Sequence, residues 1–407
     1  MSVVESTPET NEMPLDESGR VGVTPPGGNR AQRGRWWRRR VIVMLASLLV
    51  AAPAWSYARA LTAPGSAPIT NRTVEWLRDH GGASLVNAAE QWDYTRHQPS
   101  TKPATEQGFV LPTPPVPAPA NADSPVPVQG LPAPTAVTPI VPGALPGEGQ
   151  WAPAARSVDG RPTLLTTAYR PDAAHPGVVV AAVWIDTTVV RFTLVAGRTT
   201  PGGNGWAWDG TIPSSQRGRL LAAFNSGFRF QDIPGGFYAE GRQAIPLVDG
   251  QASLIIHTDG SATVGEWGRD ARMTPDVEAV RQNLKLIVDG GRPVPDLTSN
   301  PGGSFGAPGQ QFQYTWRSGL GVRADGSLVY VAGNDLTLPV VAHALVDAGA
   351  IRGMQLDIHP NNVSFNIFQP SSQPAGVTGT KLLATMTRPA TRYLQPDQRD
   401  FIAVTVR

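Results

Sequence analysis

"AHALVDAGAIRGMQLDIHPNNVSFNIF", residues 342–368, changes its periodicity part-way along. Leu338, Val341, Leu345 and Ala348 fall on one face at helical spacing. Thr337 can cap that helix and Gly349 can end it. From Met354 the pattern alternates. Met354, Leu356 and Ile358 face one way; Gln355, Asp357 and His359 face the other. Asp357 and His359 therefore share a strand face, about 7 Å apart along the backbone. Pro360 stops the strand, and Pro360-Asn361-Asn362 suits a tight turn in which Asn takes a left-handed conformation. Val363, Phe365 and Ile367 then alternate with Ser364 and Asn366. The expectation is a helix leading into a hairpin whose polar face carries Asp357, His359, Ser364 and Asn366.

Strand signals surround this stretch. "VVVAAVWIDTTVVRFTLVAG" (178–197) reads as two β-rich runs hinged near Asp186-Thr187. "LIIHTDGSATVGEW" (254–267) and "GVRADGSLVYVAG" (321–333) place Asp-Gly between alternating apolar residues, which signals hairpins. A second helix is expected near Pro275–Asn283. Strands outnumber helices and the helices intervene irregularly. The predicted class for residues 151–407 is α+β, a mixed, strand-dominated sheet domain with a few helices.

The N-terminal third has a different character. Residues 1–40 form a polar tail ending in an Arg cluster, and 1–29 lack any apolar face, which predicts disorder. Arg30, Arg33, Arg35, Arg38, Arg39 and Arg40 precede an uncharged run over residues 41–58. Eighteen helical residues span about 27 Å, close to a hydrocarbon core. Trp36, Trp37, Trp55 and Tyr57 sit at its ends, as interfacial aromatics do. A single-pass signal anchor is the preferred reading, with the N-terminus cytoplasmic and the C-terminal domain extracytoplasmic. A cleaved signal peptide is the alternative, because Ala58-Arg59-Ala60 is an acceptable small-x-small site. Residues 59–98 read as a short helical segment, and 99–150 as a Pro-rich linker with 12 Pro between 112 and 146. Fully extended, those 35 positions reach about 110 Å, enough to hold a domain away from a membrane.

Net charge is +2, so nucleic acid binding has no global support. Cysteine is absent, which removes any disulfide framework. Zinc-ligand spacings, phosphate loops and nucleophile elbows are also missing. No cofactor is required by the sequence, although Asp and Asn beside a phosphate could hold a divalent cation.

"AHALVDAGAIRGMQLD" is similar to the C-terminal signature of the phosphodiester glycosidase family, which includes the enzyme that uncovers mannose 6-phosphate. There a helix ending in Gly-Ala leads into Asn-Leu-Asp-Gly-Gly-Gly-Ser. "AAFNSGFRF" (222–230), "GGFYAEGR" (235–242) and "RSGLGVRADGSLVYV" (317–331) resemble three further family elements in the same order. The Pro-rich linker and short helical segment resemble membrane-tethered actinobacterial members. The family's Gly-Gly-Gly is replaced here by Ile358-His359-Pro360.

The resemblance implies a hydrolase that cleaves a sugar-phosphodiester or related cell-envelope glycan bond. On that reading Asp357, His359 and Glu240 are the catalytic candidates, and Asn225, Arg317, Asn361, Asn362 and Ser364 bind substrate. Arg229 and Arg242 are weaker phosphate-binding candidates, and Asp289 reads as a turn residue. The competing reading is a non-catalytic glycan-binding or envelope-scaffolding protein on the same fold.

Overall fold

The computed structural model describes residues 30–105 and 130–407. The predicted disorder of 1–29 and most of the Pro-rich stretch lie outside the described residues. The chain divides into two units, residues 1–59 and 60–407.

In the first unit the helix α1 (Arg30–Thr62) includes a segment, Trp36–Thr62, long and apolar enough to cross a membrane. Ile42, Val43, Leu49 and Val50 are exposed along it. An exposed apolar surface of that length needs a non-aqueous environment or a partner.

Among the described residues, the second unit is built on three antiparallel sheets. The largest has eight strands. Its centre runs Val180–Ile185, Leu328–Leu336, Thr315–Arg323 and Ala350–Ile358. The second sheet includes Val277–Gln282, Ala252–His257 and Ala262–Glu266; the third includes Phe365–Pro370, Leu220–Asn225, Phe401–Val406 and Val190–Val195. The α+β, strand-dominated class is therefore observed.

Both Asp-Gly hairpins form, with Ile255 opposite Thr263 and Val322 opposite Leu328. The continuous apolar run 178–185 is explained by burial on both faces. Ala181, Val183 and Ile185 join a core shared with the smaller sheets, whereas Val180, Ala182 and Trp184 face the C-terminal helix Leu338–Asp347. Gly319 and Gly353 make that helix's seat. A Cβ at Gly353 would lie 2.8 Å from Leu345 Cδ1, and one at Gly319 would lie 3.0 Å from Val341 Cγ1.

Two expectations need correction. Residues 275–283 contain no helix: Val277–Gln282 is a strand paired on both sides. Two-sided pairing rewards the β-branched Val277 and Val280 more than a short solvent helix would. The two runs hinged at Asp186-Thr187 form the strands Val180–Ile185 and Val190–Val195, as expected, and enter different sheets. Ala350–Ile358 and Phe365–Pro370 are not a hairpin. The first belongs to the eight-stranded sheet and the second to a five-stranded one, so residues 359–364 cross between sheets.

The expected free linker is also partly docked. Val137 and Val141 are buried, and Glu148 and Arg170 form an ion pair with side chains almost wholly covered. Leu131 N donates to Asp186 Oδ2 at 3.0 Å. The helices α2 (Ile69–Leu77) and α3 (Ala83–Arg96) belong to the same compact unit as the sheets. Tyr314 N donates to Tyr94 O, and Gln313 Nε2 to Gln91 Oε1.

Arg281 and Asp400 are fully buried and joined at 2.7 Å. Asp400→Ala leaves a buried guanidinium without its counter-charge and is expected to cost about 3–5 kcal/mol. The half-exposed pair Arg191–Glu278 is the control, because Glu278→Ala should cost about 0–1 kcal/mol. Urea unfolding of the two variants checks the contrast.

Candidate functional site

Asp357 lies near the end of its strand, where the backbone leaves the eight-stranded sheet. Its position is set by hydrogen bonds to the main chain. Asp357 N donates to Ser226 O at 2.9 Å, and Ser318 Oγ donates to Asp357 O at 2.8 Å. Its carboxylate is also engaged. Oδ1 accepts from Ile358 N at 2.9 Å and from Asn362 Nδ2 at 3.4 Å, and Oδ2 accepts from Arg399 Nη2 at 2.7 Å. Burial pushes the Asp357 carboxyl up to about 6, against the opposing pull of Arg399 and the Ile358 amide.

This carboxyl lines a pocket of about 400 Å³. His359, Asn361 and Asn362 line it too, so the structure brings four of the eight predicted site residues together. His359, not an Asn, takes the left-handed backbone conformation, with φ of 76°. A residue with a Cβ is strained there, and glycine is the usual occupant. The chain thus keeps a glycine-like bend while adding an imidazole. That ring stacks on Tyr94 with centroids 4.9 Å apart. Nδ1 lies 3.2 Å from Thr315 Oγ1, and Nε2 lies 3.5 Å from Glu90 Oε2. Burial first, then the Arg317 and Arg78 charges, lower the His359 pKa to about 3. The imidazole is therefore neutral near pH 7, and its approach to Glu90 is a polar contact without ion pairing.

The other four predicted residues do not line the pocket. Arg317 is buried and donates to the carbonyls of Leu336, Gln310 and Gln313. Its guanidinium serves main-chain oxygens. Asn225 is a fastener: Nδ2 donates to Ser226 O and Ser318 Oγ, while Oδ1 accepts from Tyr330 Oη and Ser364 N. Ser364 is buried beside it, and its Oγ accepts from Asn366 Nδ2. Glu240 sits at the turn of another hairpin, where its carboxylate accepts from Ala207 N. Arg242 lies over the Trp206 ring at 3.4 Å, and Asp289 pairs with Arg269.

Sequence reasoning missed most of the pocket's charged wall. Arg399 comes from the C-terminal segment, and Glu75, Arg78, Glu90 and Tyr94 come from α2, α3 and the turn between them. Glu75 bridges two cations: Oε2 is 2.9 Å from Arg229 Nη1, and Oε1 is 3.7 Å from Arg399 Nη1. Arg229 also pairs with Asp79 at 2.8 Å and Asp232 at 2.9 Å. Arg78 pairs with Glu90 and donates to Asn87 Oδ1 at 2.9 Å. The available signal was the density of charge in "NRTVEWLRDH", which has no use on a bare spacer. Among the described residues, no group of three or more His, Asp or Glu could hold a metal ion.

No known family model matches the chain, and no curated protein sequence matches it. Solved structures do. The zebrafish N-acetylglucosamine-1-phosphodiester alpha-N-acetylglucosaminidase catalytic domain, auto-inhibited by pro-peptide, matches with a TM-score of 0.41 and 13% identity. That match covers 62% of this chain and 87% of that one. A hypothetical protein from Synechocystis matches with a TM-score of 0.36 and 13% identity, over 63% of this chain and 64% of that one. The likeness is one of fold, and it is distant.

The folded state holds the Asp357 proton more tightly than the unfolded chain does. Its contribution to stability is complete below about pH 4 and is lost as pH rises through about 6. The stability of the wild type relative to Asp357→Asn should therefore fall by about 1–3 kcal/mol from pH 4 to pH 7. Urea titrations at the two pH values measure this, and a pH-independent difference would refute it.

Proposed function

We propose that this chain is a membrane-tethered, extracytoplasmic hydrolase of the phosphodiester glycosidase type, acting on a glycosyl bond of a cell-envelope glycan. The observation that carries the reading is the buried carboxyl of Asp357, raised to about 6, at a polar pocket large enough for a sugar. The motif order around Asp357 supports the reaction class. The Arg-rich start and apolar length of α1 support a tether with the N-terminus inside.

Two carboxyl groups in unlike environments can divide the work of glycoside hydrolysis. Asp357 is buried, whereas the Glu75 side chain is partly exposed, and both contact Arg399. Protonated Asp357 gives its proton to the leaving oxygen as the bond to the anomeric carbon breaks and the electron pair stays on that oxygen. Water forms the new bond to the anomeric carbon, and Glu75 accepts its proton. Asn361 and Asn362 supply amides for sugar hydroxyls. His359, being neutral, shapes the wall and carries no charge to a phosphate.

A second reading is a glycan-binding protein without turnover. It is favoured by one observation: both oxygens of Asp357 already have partners, at 2.7 Å and 2.9 Å.

The full chain in detergent, incubated with envelope glycan fragments and with sugar-1-phosphodiesters, tests the proposal. Asp357→Asn should reduce hydrolysis at least about 100-fold, in the range of a lost general acid, while the fold persists. Wild-type activity should decline as pH rises above about 6, because the proton donor is lost. Saturable glycan binding with no turnover by the wild type would select the second reading.

A further inference from the structure

The charge of the pocket departs from what a phosphate ester needs. Glu75, Glu90, Asp232 and Asp357 line it, against Arg78, Arg229 and Arg399. Carboxylates outnumber guanidinium groups, and each guanidinium is already paired with one of them. Arg229 is 6% exposed and carries three carboxylate partners, two of them from the α2 segment. An entering phosphate would meet the carboxylates of Glu75, Glu90 and Asp232 and no unpaired cation on the pocket wall. Charged groups held this way act against the wrong ligand as well as for the right one. What remains for recognition is uncharged: the amides of Asn71, Asn87, Gln310, Asn361 and Asn362, and the Thr70 hydroxyl.

The source of two of these carboxylates is specific. Glu75 and Glu90 come from the juxtamembrane helices, not from the sheet domain. Without those two helices the sheet domain would present Arg229 and Arg399 against Asp232 and Asp357. Glu75 sits between Arg229 and Arg399, in the place an anion would choose. The helices are also built into the unit by the Tyr94–Tyr314 main-chain bond and the Gln91–Gln313 bond.

We propose that the juxtamembrane helices set the substrate class of this pocket: through Glu75 and Glu90 they select an uncharged glycan and reject a phosphate ester. This rests on the glycan-hydrolase reading and narrows its substrate. Its readout is binding, so it can fail separately from catalysis.

The test uses the full chain in detergent at about 150 mM salt, where screening acts over about 8 Å. Calorimetry compares an uncharged N-acetylglucosamine oligomer with the methyl phosphodiester of the same sugar. The wild type should bind the uncharged oligomer at least about 10-fold more tightly, a difference of about 1.4 kcal/mol. Glu75→Gln removes one of the three carboxylate partners of Arg229 and one of the two of Arg399, and should raise phosphodiester affinity at least about 10-fold. Glu90→Gln should act in the same direction through Arg78. Glu278→Gln, on a half-exposed pair elsewhere, should change the affinity for neither ligand. Equal or tighter binding of the phosphodiester by the wild type overturns the proposal. So does failure to bind the oligomer. A folded Glu75→Gln with unchanged phosphodiester affinity, supported by the same result for Glu90→Gln, also overturns it.

Discussion

Two sheets of the second unit are tied at the point where the chain crosses between them, and Asn225 ties them. Its amide reaches Ser226 and Ser318, and its carbonyl oxygen accepts from Tyr330 and Ser364. Ser318 then holds the Asp357 carbonyl. Each of these groups is buried, so a missing partner would leave a desolvated polar atom at a cost of about 1–3 kcal/mol. The crossing therefore has one satisfied geometry, and that geometry places Asp357 facing the pocket. The strained φ of His359 is tolerated because Trp316 O receives its amide and Tyr94 covers its ring.

Around this point the electrostatics are cooperative. Asp357, Arg399, Glu75 and Arg229 form a chain of alternating charge across the pocket. Arg399 is nearly buried, and the cost of burying its charge is offset by Asp357, Glu75 and Asp400, which hold its pKa above the ordinary value. Glu75 thus serves packing and recognition together. Removing it affects a buried cation as well as the pocket's charge, so binding and folding have to be measured side by side.

Part of the site was legible in the sequence. Alternation in "GMQLDIH" placed Asp357 and His359 on the polar strand face, and Pro360-Asn361-Asn362 marked the turn. The same reasoning placed Asp357 and Ser364 on one face of a hairpin, which the structure replaces by a crossing between sheets. Periodicity reports which way a side chain points relative to its neighbours, not which sheet the next strand joins. Arg317 and Asn225 were read as ligand-binding groups because polar residues at strand ends often bind. Both instead satisfy buried polar groups, which becomes visible only when the partners are in place. Arg399 and Glu75 are 324 positions apart, and no local pattern links them.

The sequence by itself determined the alternation of strands, the helix before Gly349, the apolar length of α1 and the turn at Pro360-Asn361-Asn362. These depend on neighbours a few residues away, where side-chain period and backbone sterics act directly. Only the tertiary structure decided which strands share a sheet, that Asn225 fastens the crossing between sheets, and that α2 and α3 wall the pocket. Those outcomes depend on burial and on charge partners far apart in the chain, and both exist only after the chain has folded.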